Sequence, residues 1–309
     1  MQLLIVNFHY TRDAKPEWGI YPRTIKEIRD QITELGTHFE FISQQTLETL
    51  QRRPSKGIKA CLLTFDDGLK EQMAAFDCLR SEQIPAMFFV NTGHYQTREA
   101  YDVHKLHFIY SKMRPEDVAS YLDATHDMQS FPFPSSELKD EWRYDSNLIQ
   151  KIKYFTNYGI TPEQRKEMID HFFCALCVDP KSFCDDFYMS ITDLKRIAEA
   201  GMLGSHTQNH LPLASLSDEA ALRELVISRE FLHSVTGTMP RFVSYPYGGV
   251  TAVKERTSHL AQQAGYTLGV TMKRGINSDK DIINRPLMLM RVDTNDAPGG
   301  KLKSVDYLT

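Results

Sequence analysis

Short apolar runs alternate with segments of helical periodicity along most of this 309-residue chain. The first run covers residues 3–8, and residues 23–35 follow with apolar positions at helical spacing before Gly36. Further runs that fit buried strands lie at residues 39–42, 62–65, 85–90, 202–204, 241–245, 266–270 and 287–290. Seven or eight strands separated by helices are typical of an α/β fold. We therefore predict a (β/α) barrel, whether complete or incomplete.

The alternation of strands and helices breaks between residues 95 and 188. Four segments there have helical spacing, at residues 101–112, 115–122, 147–155 and 162–177, with a proline-rich loop at 131–134. Because this stretch is too long for a simple loop, we predict a helical insertion at residues 95–188 that caps the strand ends. The barrel then consists of residues 1–94 and 189–309.

The aromatic residues of the insertion fit a small core better than a wall that stacks on ligand rings. They are Phe108, Tyr110, Trp142, Tyr144, Tyr154, Phe155 and Tyr158.

The net charge and the amino-terminal sequence indicate which partners and which cellular location to expect. The net charge of −4 gives no global basic field, so nucleic acid is not an expected partner. Residues 1–10 lack a basic region, and their apolar run is too short for a signal peptide or a membrane span. We therefore expect a soluble, cytoplasmic protein without a transmembrane segment.

The five cysteines favour reduced thiols, because their number is odd and no signal peptide is recognisable. Cys174 and Cys177 have the C-x-x-C spacing of zinc and redox sites, and Cys184 follows. They lie in an apolar, helical stretch without a second such pair. We therefore expect buried helix cysteines here.

A strand that ends on two adjacent acids marks the first candidate site. Residues 62–68, LLTFDDG, begin as an apolar run and stop at Asp66, Asp67 and Gly68. Ligands of barrel folds bind at the carboxyl ends of strands, where glycine lets the backbone turn away. One carboxylate could bind a metal ion while its neighbour takes a proton from water. The alternative is an Asp-Gly turn with two solvated acids.

Two histidines supply the matching ligands. His206 and His210 are spaced i,i+4, which predicts two imidazoles on one face of a helical turn, the arrangement of many paired metal ligands. Such a pair alone is weak evidence, because exposed histidines at this spacing are common. Together with Asp67 at the same end of the barrel, they would form a three-ligand set that leaves positions for water and substrate.

The chemistry of metal-assisted hydrolysis suggests roles for further residues. A bound divalent ion lowers the pKa of its water toward about 7, and Asp66 could accept the proton of that water. The backbone N–H of Tyr247, in the turn PYGG at residues 246–249, is a candidate donor to the oxyanion. His9 and Arg291 are the candidates for protonating a leaving amine, although His9 could equally be structural.

Three motifs in this order resemble those of the polysaccharide deacetylases, carbohydrate esterase family 4, which have the NodB-homology fold. They are TFDDG at 64–68, HTQNH at 206–210 and YPYG at 245–248, and the resemblance covers about residues 60–95 and 190–291. It implies a distorted (β/α)7 barrel and metal-dependent removal of N- or O-acetyl groups from sugars. The roles it implies are Asp66 as general base, Asp67, His206 and His210 as metal ligands, and Tyr247 as oxyanion donor.

Two positions depart from the family pattern. Ser244 stands where the third motif usually has an arginine that orients the base, and Arg291 stands where the last motif usually has an acid histidine. Arginine stays charged far above neutral pH and is a poor proton donor. Similar replacements occur in the poly-N-acetylglucosamine deacetylase branch, where a histidine at the end of the first strand lies in the site. We hypothesise that His9 is the acid and that Arg291 pairs with Asp66 or with a substrate anion.

The sequence thus predicts a metal-dependent hydrolase that removes an acetyl group from an N-acetylated sugar or a surface-glycan precursor. Arg291 and Gly248 are the predicted substrate contacts. Zinc is the favoured ion, ahead of cobalt, nickel and iron(II). The alternatives are an amide hydrolase with a non-sugar substrate and an inactive glycan-binding relative. The sequence does not indicate the oligomeric state.

Overall fold

The computed structural model describes residues 1–53, 57–134 and 144–301, and nine strands of these residues share one sheet. The strands are β1 (Gln2–Phe8), β2 (Glu40–Phe41), β3 (Lys59–Phe65), β4 (Ala86–Val90), β5 (Leu203–Ser205), β6 (Phe242–Ser244), β7 (Leu268–Val270), β8 (Asn277–Ser278) and β9 (Val292–Asp293).

Helices connect most of these strands. Over the same residues they are α1 (Ile25–Gly36), α2 (Gln44–Arg52), α3 (Met73–Ser81), α4 (His94–Thr97), α5 (Asp102–Lys112), α6 (Pro115–His126), α7 (Asn147–Tyr158), α8 (Pro162–Ala175), α9 (Pro180–Phe187), α10 (Ile191–Glu199), α11 (Asp218–Thr236), α12 (Glu255–Gln263) and α13 (Asp279–Asn284). Short 3-10 helices lie at Lys70–Gln72, Met128–Ser130 and Leu213–Ser215.

The sheet is parallel apart from one short pairing. Its order is β7-β6-β5-β4-β3-β1-β8, with β2 beside β3 and β9 beside β1, and β8 alone runs antiparallel to its neighbour. A parallel sheet with helical crossovers is what the alternation of strands and helices predicted. The prediction of an α/β, distorted (β/α)-type barrel with a helical insertion is confirmed.

The chain from residue 289 to residue 293 links the two sides of the sheet. Leu289 forms a parallel bridge with Val270 of β7, and Val292 pairs with Val6 of β1. The sequence predicted a last strand at residues 287–290, whereas the described strand is β9. The ladder is interrupted between these two pairings, and Arg291 lies in the interruption.

Side chains of β1 alternate between two cores. Leu4 belongs to the core that includes Ile28 of α1, whereas Leu3 and Ile5 belong to a second core with residues of β3, β4, β6 and β7. The second core therefore lies on the inner face of the curled sheet. Because side chains alternate with a period of two, Asn7 follows Leu3 and Ile5 on that inner face.

By its contacts the chain forms two compact units. The first comprises Met1–Asp13, Arg23–Thr97 and Asp186–Thr309, and the second comprises Ala14–Pro22 and Arg98–Asp185. The second unit thus includes residues 14–22, which the sequence analysis assigned to the barrel. The predicted capping of the strand ends by the insertion stays a prediction.

The second unit has its own apolar core, built mainly from α5 to α8. Phe155 and Tyr110 are buried in it and Phe108 packs against it, whereas Tyr158 is 63% exposed. The predicted small aromatic core is therefore present for part of the set, and Trp142 lies outside the described residues.

The prediction of buried helix cysteines at 174 and 177 is wrong. Both thiols are free and exposed, whereas Cys184 is free and buried. Cys174 lies in α8 but is not among the positions that this helix buries, which are Met168, Ile169, Phe172 and Phe173. Cys177 lies beyond the end of α8 at Ala175 and has a left-handed φ of 53°, so the apolar periodicity of the helix does not extend to it. In the parts of the chain that the structure describes, no helix is long and apolar enough to span a bilayer.

Candidate active site

Beyond the end of the apolar core, the inner face of the sheet carries polar side chains. On β3, Leu62 belongs to the inner core, and Thr64 and then Asp66 follow on the same face. The same change occurs from Phe242 to Ser244 on β6. The buried polar residues at this end of the sheet include Asn7, Thr64, Asp66, Ser244 and Arg291.

Asp67, His206 and His210 converge just beyond the ends of β3 and β5. Asp67 Oδ1 lies 3.4 Å from His206 Nε2 and 3.3 Å from His210 Nε2. All three side chains are buried, and their ligand atoms lie within 4.8 Å of one another. Two donors that each lie about 2.0–2.1 Å from a tetrahedral zinc ion are about 3.3–3.4 Å apart. One carboxylate and two imidazoles at this spacing fit a divalent ion such as zinc.

A backbone carbonyl orients the ring of His206. Its Nδ1 lies 2.7 Å from the carbonyl oxygen of Ser244, so Nδ1 carries the hydrogen and Nε2 is the nitrogen directed at Asp67. Burial lowers the pKa of His206, but the charge of Asp66 and the hydrogen bond with Asp67 outweigh it and raise this pKa overall. The carboxylates of Asp66 and Asp67 beside this ring thus favour a positive charge at His206.

The predicted helical turn at residues 206–210 is absent, because Thr207 and His210 have left-handed φ values of 65° and 54°. The histidines instead meet across a non-helical loop, with ring centroids 5.2 Å apart. Glu224 of α11 holds this loop: its carboxylate accepts hydrogen bonds from the backbone N–H and the side-chain amide of Asn209, at 2.7 Å and 2.6 Å. The sequence analysis missed Glu224, whose relation to the loop depends on tertiary packing.

Left-handed backbone recurs in all three motifs. Besides Thr207 and His210, Asp67 has a φ of 81° and Tyr247 a φ of 62°. Each non-glycine residue in this region costs about 1–3 kcal/mol and persists only where the surroundings impose it. Such strain is common at functional sites, where it directs side chains that regular structure would place elsewhere.

Asp66 is paired with a fully buried arginine. Arg291 Nη1 donates to Asp66 Oδ1 at 2.9 Å, and Nη2 donates to Oδ2 at 2.8 Å, so the pair is bidentate. Burial raises the pKa of Asp66, but the guanidinium of Arg291, supported by His206, lowers it below its ordinary value overall. Of the two partners hypothesised for Arg291, Asp66 is therefore the one that the structure provides.

The surroundings of Arg291 explain how a serine can stand at the end of β6. Ser244 Oγ accepts a hydrogen bond from Arg291 Nη2 at 2.9 Å, and the carbonyl of Thr271 accepts one from Nε at 2.9 Å. The short side chain of Ser244 leaves room for the guanidinium, which reaches the base from another part of the chain.

Asn7 also joins this network, and the sequence analysis gave it no role. Its Oδ1 accepts hydrogen bonds from Arg291 Nη1 at 2.9 Å and from Thr64 Oγ1 at 3.1 Å, and its Nδ2 donates to Asp66 at 3.3 Å. A polar residue on the inner face of the first strand, two residues before His9, was the available signal.

His9 lies at the rim of this network. Its side chain is 38% exposed, and its Nε2 is 4.0 Å from Asp66 Oδ2. The ring of His9 is therefore partly in contact with solvent and also lies close to the buried carboxylate of Asp66. Next to it, burial and then the charge of Asp67 raise the pKa of Tyr10, a second residue of this segment that the sequence analysis did not select.

Tyr247 and Gly248 form a turn beside the histidines. The ring of Tyr247 is half exposed, and its centroid lies 4.9 Å from that of His210. Gly248 has a φ of 61°, and a Cβ there would lie 2.5 Å from the backbone nitrogen of Met272, so the turn requires glycine. The carbonyl of Gly248 accepts a hydrogen bond from the Met272 N–H at 2.8 Å, which fixes the turn next to the site.

Solved structures of deacetylases share this fold. The deacetylase PplD of Streptococcus pyogenes in complex with acetate matches with a TM-score of 0.60 and 17% identity over 98% of this chain and 97% of its own. IcaB from Ammonifex degensii matches with a TM-score of 0.57 and 16% identity, over 94% and 91% of the two chains.

Sequence comparisons identify the family. A peptidoglycan-N-acetylglucosamine deacetylase of Bacillus cereus is 25% identical over 122 residues, which are 37% of this chain and 44% of that protein, so the match spans less than half of the relative. The family model for polysaccharide deacetylase matches residues 53–140 and 185–269, more than half of the chain. This chain belongs to the polysaccharide deacetylase family.

Proposed function

We propose that the protein is a metal-dependent deacetylase that removes the acetyl group of an N-acetylated sugar. The observation that supports this most strongly is the placement of Asp66, paired bidentately with Arg291, directly beside the Asp67, His206 and His210 set. A site that only bound glycans through a metal ion would not need a second carboxylate held in this way.

Asp67, His206 and His210 would hold the ion, and we propose zinc because one carboxylate and two imidazoles are ligands that zinc accepts readily. When bound, such an ion polarises an acetyl carbonyl and lowers the pKa of water toward about 7. The fixed tautomer of His206 keeps its Nε2 available as a ligand.

The chain supplies the proton transfers. Asp66 accepts the proton of the attacking water, and Arg291 keeps its carboxylate ionised and fixed in direction. In this proposal Arg291 is a positioning residue, because its guanidinium is fully buried and bonded to protein groups. This differs from the direct substrate contact expected from the sequence.

Two further groups would complete the reaction. His9 is the proposed proton donor to the leaving amine, since its ring is partly exposed and lies near Asp66. The backbone N–H of Tyr247 is the proposed donor to the oxyanion, and Gly248 holds the turn that carries it.

The test is acetate release by the zinc-loaded 309-residue chain from N-acetylglucosamine oligomers, compared with formylated and cyclic amides. We expect equal amounts of acetate and free amine from the sugars only. Asp66→Asn should lower kcat by at least about 100-fold with zinc still bound. Asp30→Asn, on the exposed face of α1, is the matched control and should leave kcat unchanged.

Hydrolysis of the other amides alone would identify a non-sugar amide hydrolase. Zinc binding without any hydrolysis, and without an effect of Asp66→Asn on ligand affinity, would support a glycan-binding relative instead.

A further inference from the structure

Asn7 lies between the proposed base and the proposed acid. Its side chain is fully buried at the carboxyl end of β1. Its Nδ2 is 3.3 Å from Asp66 Oδ2 and 3.5 Å from either ring nitrogen of His9. Asn7 is therefore placed to act on the geometry of both.

The orientation of the Asn7 amide is determined by its neighbours. A guanidinium only donates hydrogen bonds, so the atom of Asn7 that faces Arg291 Nη1 at 2.9 Å must be the carbonyl oxygen. Thr64 Oγ1 lies 3.1 Å from the same oxygen. The NH2 group consequently points to Asp66, which as a carboxylate only accepts.

This orientation makes the two oxygens of Asp66 unequal. Within the described residues Oδ1 accepts one hydrogen bond, from Arg291 Nη1, whereas Oδ2 accepts two, from Arg291 Nη2 and from Asn7. A carboxylate oxygen has two lone-pair positions. Oδ2 has therefore used both of its positions, and Oδ1 keeps one.

We infer that Asn7 is a positioning residue that occupies Oδ2 of Asp66 and so selects Oδ1 as the oxygen that takes the proton of the attacking water. The inference rests on the proposed deacetylase function and deepens it. It also gives a reason for a buried asparagine on an otherwise apolar inner face of β1. Arg291 alone would hold both oxygens alike and would not distinguish between them.

Two substitutions of Asn7 test this role with the zinc-loaded 309-residue chain and N-acetylglucosamine oligomers. Asn7→Asp keeps the acceptor for Arg291 and Thr64 but lacks the NH2 donor, and Asn7→Ala lacks both without adding charge. The matched control is Asn277→Asp. Asn277 is equally buried and donates to the carbonyls of Leu3 and Met290, away from Asp66.

Both Asn7 variants should lose about 10- to 100-fold in kcat, with KM and zinc content unchanged, whereas Asn277→Asp should lose stability but keep kcat. Equal kcat per folded, zinc-containing molecule in the Asn7 variants and the wild type would overturn the inference. A loss that appears only in melting temperature, as in the control, would overturn it as well.

A crystal structure of the zinc-loaded protein soaked in acetate tests the choice of oxygen without turnover. We expect the water or acetate oxygen nearest Asp66 to contact the carboxylate oxygen that Asn7 does not touch. Contact with the other oxygen would contradict the inference. If the wild type releases no acetate, the proposed function fails for these oligomers, and the soaked crystal alone decides the choice of oxygen.

Discussion

The buried pair of Asp66 and Arg291 shows how a guanidinium can keep a buried carboxylate in the charged form that a general base needs. The carboxylate is almost completely buried, which by itself favours its neutral form, and the bidentate guanidinium reverses that preference. The arginine lies between the bridge residue Leu289 and strand β9, where the ladder is interrupted. Ser244 provides the space and an acceptor for its guanidinium. The departures of Ser244 and Arg291 from the family pattern are thus two parts of one arrangement.

This pair predicts a stability that depends on pH. Because the folded pKa of Asp66 is lowered, the pair stabilises the protein above the unfolded pKa of about 3.9, and this contribution is lost as the pH falls through the folded value. Arg291→Gln in metal-free protein should cost about 3–5 kcal/mol at pH 7, since it leaves a buried carboxylate unpaired. The cost should shrink in acid, where Asp66 becomes protonated.

Denaturant unfolding at pH 7 and at acidic pH measures this difference. Arg114→Gln is the control, because it breaks only an exposed pair with Asp117 and should leave stability unchanged. The same cost of Arg291→Gln at both pH values would show that Asp66 is not the group that Arg291 stabilises.

At the residue scale the sequence predicted the groups that stand within short motifs. Asp66, Asp67, His206 and His210 could be selected because each motif carries its own chemistry. Glu224 could not, and for Asn7 the only signal was a polar residue near the end of the first strand. The partners of both lie far away in the sequence and are brought close only by the register of β1 with β3 and the packing of α11.

At the scale of elements, three non-helical loops carry the site. Most strands lie where the apolar runs predicted them, since burial on both faces leaves a clear pattern in the sequence. The loop with the two histidines did not follow its apparent helical spacing, because left-handed residues reverse the backbone there. The i,i+4 spacing therefore identified the two histidines that come together, although the helical turn on which that prediction rested is absent.

The loop at residues 206–210 predicts an effect of Glu224 on metal affinity. Glu224→Ala removes both acceptors for Asn209, so the loop should hold His206 and His210 less firmly and zinc affinity should fall by about 10- to 100-fold. Competition with a chromophoric chelator measures this. Glu230→Ala, on the exposed side of the same helix, should bind zinc as the wild type does, and equal affinities for the two variants would refute the role of Glu224.

The turn at residues 246–249 predicts a contrast between two adjacent glycines. Gly248→Ala needs a left-handed φ and a Cβ close to the Met272 nitrogen, so it should cost at least about 1–2 kcal/mol of stability and reduce acetate release. Gly249→Ala meets nothing within 4 Å and should be tolerated. Thermal unfolding and acetate release compare them, and similar effects of both substitutions would contradict the assignment.

At the scale of the whole molecule, the candidate active site belongs to one of the two compact units. All residues of the Asp67, His206 and His210 set, and all partners of Asp66, lie in the first unit. The second unit has a separate core and a buried ion pair of its own, between Lys153 and Asp145 at 2.6 Å. The sequence predicted two parts from the break in alternation, but the inclusion of residues 14–22 depends on contacts such as that of Lys153 with the Gly19 carbonyl.

The most direct test of this account is anomalous diffraction at the zinc edge from crystals of the zinc-loaded protein. We predict one strong peak about 2.0–2.2 Å from a carboxylate oxygen of Asp67 and from the Nε2 atoms of His206 and His210, with Asp66 next to it and paired with Arg291. Full occupancy of zinc at other residues, or no peak among these three side chains, would contradict the account.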